Sequence, residues 1–153
     1  MNPTIDFATP QDLPAMADLL HELFTLESDF QPQREHQLAG LQAILETPAI
    51  GRLFVLRIDG KVSGMANALI TVSTALGTPV VLLEDVIVSE AQRGNGLGRH
   101  LVEHVFAWAK AQGMGRITLL ADEDNTSALD FYAKLGFEKS AMVVRRKLLK
   151  REL

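Results

Sequence analysis

The spacing of apolar residues changes along the chain, and each change marks a predicted element. Apolar side chains recur every three or four positions over residues 13–24 and 34–45, which predicts two helices. The period then becomes two over residues 53–58, 62–71 and 80–88, which predicts three strands. The first half of the chain therefore combines helices with a sheet.

Turn and cap residues place the boundaries between these elements. The sequence predicts a short first strand at residues 5–8, and Thr9, Pro10 and Asp12 then match a capping box at a helix start. Asp59-Gly60 predicts a tight hairpin, because both residue types tolerate positive φ. The second half adds four segments: helices at 99–111 and 125–135, and strands at 116–121 and 142–149.

The element order β-α-α-β-β-β-α-β-α-β predicts one mixed α/β domain over residues 1–153. We expect a central mixed sheet of six or seven strands with helices on both faces. The strand–helix–strand unit in the middle requires parallel pairing there, because the helix carries the chain back to the starting edge of the sheet.

Composition narrows the function classes. The chain has 153 residues, of which 47% are hydrophobic and 22% charged, and this is ordinary globular composition. A net charge of −4 offers no attraction to nucleic acid or to an anionic membrane. The absence of cysteine excludes disulfides and a cysteine nucleophile, and the four histidines show no metal-ligand spacing. We therefore expect no metal. We also expect a cytoplasmic protein, because the sequence shows no secretory signal and no long apolar span.

The segment Arg93-Gly94-Asn95-Gly96-Leu97-Gly98, followed by Arg99, joins a predicted strand to a predicted helix. Glycines let backbone N–H groups turn toward one point, and a helix N-terminus adds unsatisfied donors and partial positive charge. Both features suit a phosphate, and the arginines add charge-assisted donors. The spacing matches neither the dinucleotide fingerprint nor the P-loop. The alternative is a glycine-rich helix start without a ligand.

This segment, with its Arg-x-x-Gly-x-Gly core, resembles the acyl-CoA pyrophosphate motif of the GNAT N-acetyltransferase superfamily. The sequence Phe-Tyr-x-x-x-Gly-Phe at residues 131–137 and the order of elements are similar too. The resemblance implies that acetyl-CoA binds in a V-shaped split between the strands that end at Val88 and near Ala121. It also implies that the pantetheine arm pairs with the backbone of Val86, Ile87 and Val88. Family members often dimerise, and the apolar strand at 142–149 offers an edge for a homodimer.

Tyr132 is the only tyrosine in the chain, and it matches the family position that donates a proton to the departing CoA thiolate. Its alternative role is a packed helix residue. Asn125 matches the position that contacts the CoA arm, and it also suits the N-cap of the last helix.

Two adjacent carboxylates, Glu84 and Asp85, interrupt an apolar strand, where a charge is costly unless it has a partner, solvent or a substrate. Strand alternation predicts that they lie on opposite faces. Leu-Glu-Asp before the glycine loop resembles the small-amine and polyamine branch of the family, in which the glutamate is the base and acidic neighbours hold the cationic acceptor. The alternative is a structural ion pair. Glu27 and Phe30, after the first helix, are further candidates for acceptor binding.

The predicted function is acetyl transfer from acetyl-CoA to a primary amine, with Glu84 as base and Tyr132 as general acid. Two alternatives stay open. One is an acyl-CoA-binding sensor without turnover, and the other is acetylation of a protein lysine or N-terminus. A protic residue at the acid position and a carboxylate at the base position favour the enzyme.

Overall fold

The computed structural model describes residues 2–26 and 33–150. The backbone divides into two compact units, Met1–Leu120 and Ala121–Leu153. The second unit contains α4 (Thr126–Lys134), and a single domain over residues 1–153 stays a prediction. The first unit contains, in order, β1 (Pro3–Phe7), α1 (Leu13–Leu26), α2 (Arg34–Leu45), β2 (Gly51–Ile58), β3 (Lys61–Ser73), β4 (Thr78–Val88), α3 (Leu97–Ala111) and β5 (Ile117–Leu119).

The five strands form one mixed sheet in the order β1-β2-β3-β4-β5. Successive strands from β1 to β4 pair antiparallel, and β4 pairs with β5 in parallel, as the α3 crossover requires. The β2–β3 hairpin turns at Asp59 and Gly60, whose φ angles are 51° and 79°. Positive φ at both central residues is the signature of a primed turn, so the predicted hairpin is confirmed.

Helices cover both faces of the sheet. Leu53 and Val55 of β2 belong to the buried cluster that includes Met16 of α1 and Leu41 of α2. Between them in the strand, Phe54 packs against Trp108 of α3, with 5.3 Å between ring centroids. Because successive strand residues point to opposite faces, α3 lies across the sheet from α1 and α2. No helix in the described stretches is long and apolar enough to cross a membrane.

The start of α1 is held by a buried carboxylate. The backbone N–H of Thr9 donates to Asp12 Oδ2 at 2.8 Å, as the predicted capping box requires. Both oxygens of Asp12 also accept hydrogen bonds from Arg57 of β2, each at 2.7 Å. The Arg57 guanidinium holds the pKa of Asp12 below its usual range, against the effect of burial. A short 3₁₀ turn, Pro10–Asp12, precedes the α-helix.

The predicted strand at 142–149 is wrong. Residues 138–150 form neither helix nor strand, and the apolar side chains of this segment are exposed, Met142 and Leu149 by 89% each. Apolar composition favours a strand but does not supply the neighbour that its N–H and C=O groups need. The described sheet therefore has five strands instead of six or seven, and β5, the strand predicted at 116–121, lies at its edge. A homodimer stays a prediction without that strand to support it.

Candidate active site

β4 is irregular at its two carboxylates. Its pairing with β3 runs regularly as far as Asn67↔Glu84 and shifts before Met65↔Ile87, so β4 carries an extra residue in this stretch. This is a β-bulge, and Asp85 within it has a φ of 55°. A residue with a side chain adopts this left-handed conformation uncommonly, although aspartate is one of the more tolerant types. The strand therefore changes direction at the predicted acceptor residues.

The bulge brings both carboxylates to one face of the sheet. Asn67 is the register partner of Leu53 in β2 and of Glu84 in β4, so the three side chains share the face that α1 covers. The Asn67 amide donates from Nδ2 to Asp85 Oδ2 at 3.3 Å. The Asp85 carboxylate therefore reaches the same face as Glu84. The prediction of opposite faces is wrong, because the alternation assumes a regular strand.

Burial raises the pKa of Asp85, and the hydrogen bond from Asn67 offsets part of that effect. Asn67 itself is 3% exposed, and its Oδ1 is buried without a hydrogen-bond partner among the described residues. Asn67 is not among the residues predicted from the sequence to belong to the site. The available signal was an amide inside the apolar run of residues 65–70, where a polar side chain needs a reason.

β4 and β5 separate beside this bulge. Their pairs run from Val81↔Ile117 to Leu83↔Leu119, and there β5 ends while β4 continues to Val88. No strand of the described sheet pairs with β4 on that side beyond Leu83. The predicted pantetheine-binding residues Val86, Ile87 and Val88 lie in this stretch.

The glycine loop leads from β4 into an unusual helix start. Gly94 and Gly96 have φ angles of 87° and 72°, and a Cβ built on either one would meet nothing within 4 Å. Gly96 is the N-cap of α3, and without a side chain it cannot accept from the first-turn N–H groups of Leu97, Gly98 and Arg99. These donors lie at the positive end of the helix dipole, which suits an anion. α3 begins at Leu97, two residues before the predicted start.

The polar side chains of this loop already have partners within the chain. Arg93 Nε donates to the Val88 carbonyl at 3.1 Å, and Arg99 Nε donates to Glu103 Oε1 at 2.7 Å. Asn95 donates from Nδ2 to a backbone carbonyl in the preceding turn at 3.2 Å. An anion at this loop would therefore bind the remaining guanidinium nitrogens or displace these bonds.

The second unit contains the other two predicted site residues, both on α4. Asn125 is the N-cap, because its Oδ1 accepts from the backbone N–H of Ala128 at 3.2 Å. The Tyr132 ring packs edge-on against Phe131 and Phe137, with centroids 5.0 and 5.6 Å away. Burial raises the pKa of Tyr132, so its phenol stays protonated at neutral pH and can donate a proton. The capping and packing roles are observed, and the roles toward CoA stay predictions.

Glu27 and Phe30, predicted as acceptor-binding residues, lie outside the described residues. Of the predicted site residues that the structure describes, those of the β4 bulge and the glycine loop belong to the first unit, and those of α4 belong to the second.

Known proteins resemble this chain in sequence and in fold. YobR, an uncharacterized N-acetyltransferase from Bacillus subtilis, is 36% identical over 69 residues, covering 42% of this chain and 28% of its own length. The chain spans at most 40% of the length of this and three other curated relatives. An acetyltransferase from Trypanosoma brucei superposes with a TM-score of 0.75 at 27% identity, covering 96% of this chain and 100% of its own.

A second solved structure, an aminoglycoside N-acetyltransferase in complex with CoA, has a similar fold. Its TM-score is 0.81 at 23% identity, with 97% of this chain and 96% of that chain covered. The sequence model described as the acetyltransferase (GNAT) family matches residues 13–137, which include the β4 bulge, the glycine loop and α4. The chain belongs to the acetyltransferase (GNAT) family.

Proposed function

We propose that this protein transfers an acetyl group from acetyl-CoA to a primary amine on a small molecule. The observation that carries the proposal is the start of α3, where a glycine N-cap offers no side-chain acceptor to the first-turn N–H groups and a Cβ on Gly96 would meet no atom within 4 Å. Such a site binds the pyrophosphate of CoA through backbone donors and the helix dipole. Membership of the acetyltransferase family supports the same ligand.

The rest of CoA fits the separation of β4 from β5. Beyond Leu83 the β4 backbone has no strand beside it on that side in the described sheet. An extended pantetheine arm would pair there with Val86, Ile87 and Val88, as an added strand pairs with an open edge. Arg93 and Arg99 would add charge-assisted contacts, and Asn125 would contact the arm through its Nδ2, since its Oδ1 caps α4.

The transfer requires two proton movements. The amine nitrogen attacks the thioester carbonyl, and its proton passes to Glu84, directly or through a water molecule. The C–S bond of the tetrahedral intermediate then breaks, and Tyr132 donates its phenolic proton to the CoA thiolate. The products are the N-acetylated amine and CoA. A general acid must be protonated before each turnover, and a tyrosine phenol, whose ordinary pKa is about 10, meets that condition at neutral pH.

The acceptor is proposed from the charge of the bulge. Glu84 and Asp85 lie on one face, so a cationic acceptor would meet two carboxylates at the β4 bulge. A similarly folded protein is named for an aminoglycoside, which is a small molecule with several amino groups. We therefore favour a small polyamine-like acceptor over a peptide.

A thiol-release assay tests this proposal. Free CoA is measured with acetyl-CoA and, in separate reactions, a diamine, a monoamine, an aminoglycoside, an amino acid and a lysine peptide. We expect the fastest release with acceptors that carry two or more amino groups. Binding of CoA without release from any acceptor would instead indicate a sensor, and release with the peptide alone would indicate a protein acetyltransferase.

A further inference from the structure

Asn67 is a buried amide, and the stability of the fold does not explain why an amide is at this position. Its neighbours along β3 are Ala66 and Ala68, and both are fully buried. Its Oδ1 has no partner among the described residues, although a buried unpaired acceptor costs about 1–3 kcal/mol. An apolar side chain of the same size would avoid that cost. We therefore attribute the presence of an amide at this position to the hydrogen bond that its Nδ2 group donates.

That Nδ2 group donates to Asp85, a residue in a conformation that needs support. Asp85 is partly buried, and its φ of 55° lies in the left-handed region. Such a backbone persists when its surroundings hold it, and residues of this kind cluster at functional sites. Asn67 Nδ2 supplies a side-chain contact at 3.3 Å from the neighbouring strand. Unlike Asn67, Asp85 is only partly buried as a residue.

We propose that Asn67 is a positioning residue for the acceptor, holding the Asp85 carboxylate at the β4 bulge so that Asp85 binds a second positive charge on the substrate. The inference rests on the proposed function and extends it, because it assigns the distal ammonium of a diamine to a defined position. Asn67 does not touch the substrate, since its side chain is buried, and it acts through Asp85.

The hydrogen bond from Asn67 to Asp85 predicts the direction in which the pKa of Asp85 changes when the amide is removed, which a purely structural role of Asn67 does not. The Asn67 amide stabilises the charged form of Asp85, so its removal raises the pKa of Asp85 further. The elements around β4 carry other titratable groups, and their titrations must be distinguished from that of Asp85. Glu84 shares its face; α1 contributes Asp18, His21 and Glu22; β3 contributes Lys61; β5 contributes none; and α3, on the opposite face, contributes Arg99, His100, Glu103, His104 and Lys110.

Carbon-13 NMR of aspartate carboxyls follows Asp85 directly, with its resonance assigned by Asp85→Asn. Two variants are compared with the wild type: Asn67→Leu keeps the size and removes the donor, and Asn67→Ser keeps a shorter donor. Ser73→Ala is the matched control, because it removes a buried polar side chain from the far end of β3. We expect Asp85 to titrate at higher pH in Asn67→Leu, at an intermediate pH in Asn67→Ser, and unchanged in Ser73→Ala.

The second measurement adds 1,4-diaminobutane, with butylamine as the monoamine control. The wild-type Asp85 resonance should shift with the diamine, and Asn67→Leu should raise the KM for the diamine about tenfold while kcat and the KM for butylamine change little. An Asp85 titration that is unaltered in both variants would overturn the proposal. An Asp85 resonance whose chemical shift does not change when the diamine is added would also overturn the proposal. Absence of turnover in the wild type, with the resonance still responding, would count against the proposed function alone.

Discussion

The helix start at Gly96 allows ligand binding to be separated from backbone strain. Gly96 and Gly113 flank the same helix, with φ angles of 72° and 75°. A Cβ at either position would meet no atom within 4 Å. Gly96→Ala and Gly113→Ala therefore impose nearly the same conformational strain and no clash. The two sites differ in that Gly96 precedes the free N–H groups of α3, whereas Gly113 follows its last turn.

Each alanine should lower the free energy of unfolding by about 1–2 kcal/mol, the cost of a left-handed residue with a side chain. For a chain of this length, each kcal/mol corresponds to a fall in Tm of roughly 2–4 °C. Only Gly96→Ala places a methyl group where we propose that the pyrophosphate approaches the backbone, and we expect CoA to bind at least about tenfold more weakly, or about 1.4 kcal/mol. Gly113→Ala should bind CoA like the wild type.

Isothermal titration calorimetry with CoA gives the affinities, and thermal unfolding without ligand gives the stabilities. Equal losses of stability with unequal losses of affinity would support a phosphate site at the start of α3. Wild-type affinity in a folded Gly96→Ala variant would refute the reasoning, and so would an equal loss of affinity in Gly113→Ala.

Three further predictions test separate parts of the molecule. Tyr132→Phe keeps the aromatic packing and removes the proton donor, so kcat should fall by roughly 10²–10⁴-fold with little change in CoA affinity; stopped-flow turnover and calorimetry measure both. Glu84→Gln should lower kcat more than it raises the KM for the amine, and full activity in a steady-state assay would exclude Glu84 as base. Asp12→Asn should cost about 1–3 kcal/mol at neutral pH, because it weakens the bond to Arg57. Since the pKa of Asp12 is lowered on folding, this stabilisation is present above about pH 4 and is lost as the pH falls through the lowered pKa; urea unfolding at several pH values should show a weaker acid dependence in the variant.

Several features of this protein follow from short stretches of sequence. Asp59-Gly60 turns with positive φ at both residues, Thr9 and Asp12 form the start of the first helix, and the glycine loop adopts its left-handed conformations at Gly94 and Gly96. Each depends on interactions within a few residues, so local propensity is sufficient to determine it. The family resemblance rests on the same kind of local motif.

The β4 bulge, where we propose that the acceptor binds, depends on contacts between residues that are distant in sequence. The sequence of a single strand does not show its register against a neighbouring strand. Regular alternation therefore predicted Glu84 and Asp85 on opposite faces. Only the pairing of β3 with β4 creates the bulge that brings the two carboxylates together beside Asn67. The prediction of a strand at 142–149 was wrong for the same reason. The composition of this segment favours a strand, but a strand exists only where a partner pairs with it. The sequence by itself determined the turns, the caps and the conformation of the glycine loop, because these are built from neighbouring residues. Tertiary structure decided the register of β4, and with it the face on which the carboxylates meet.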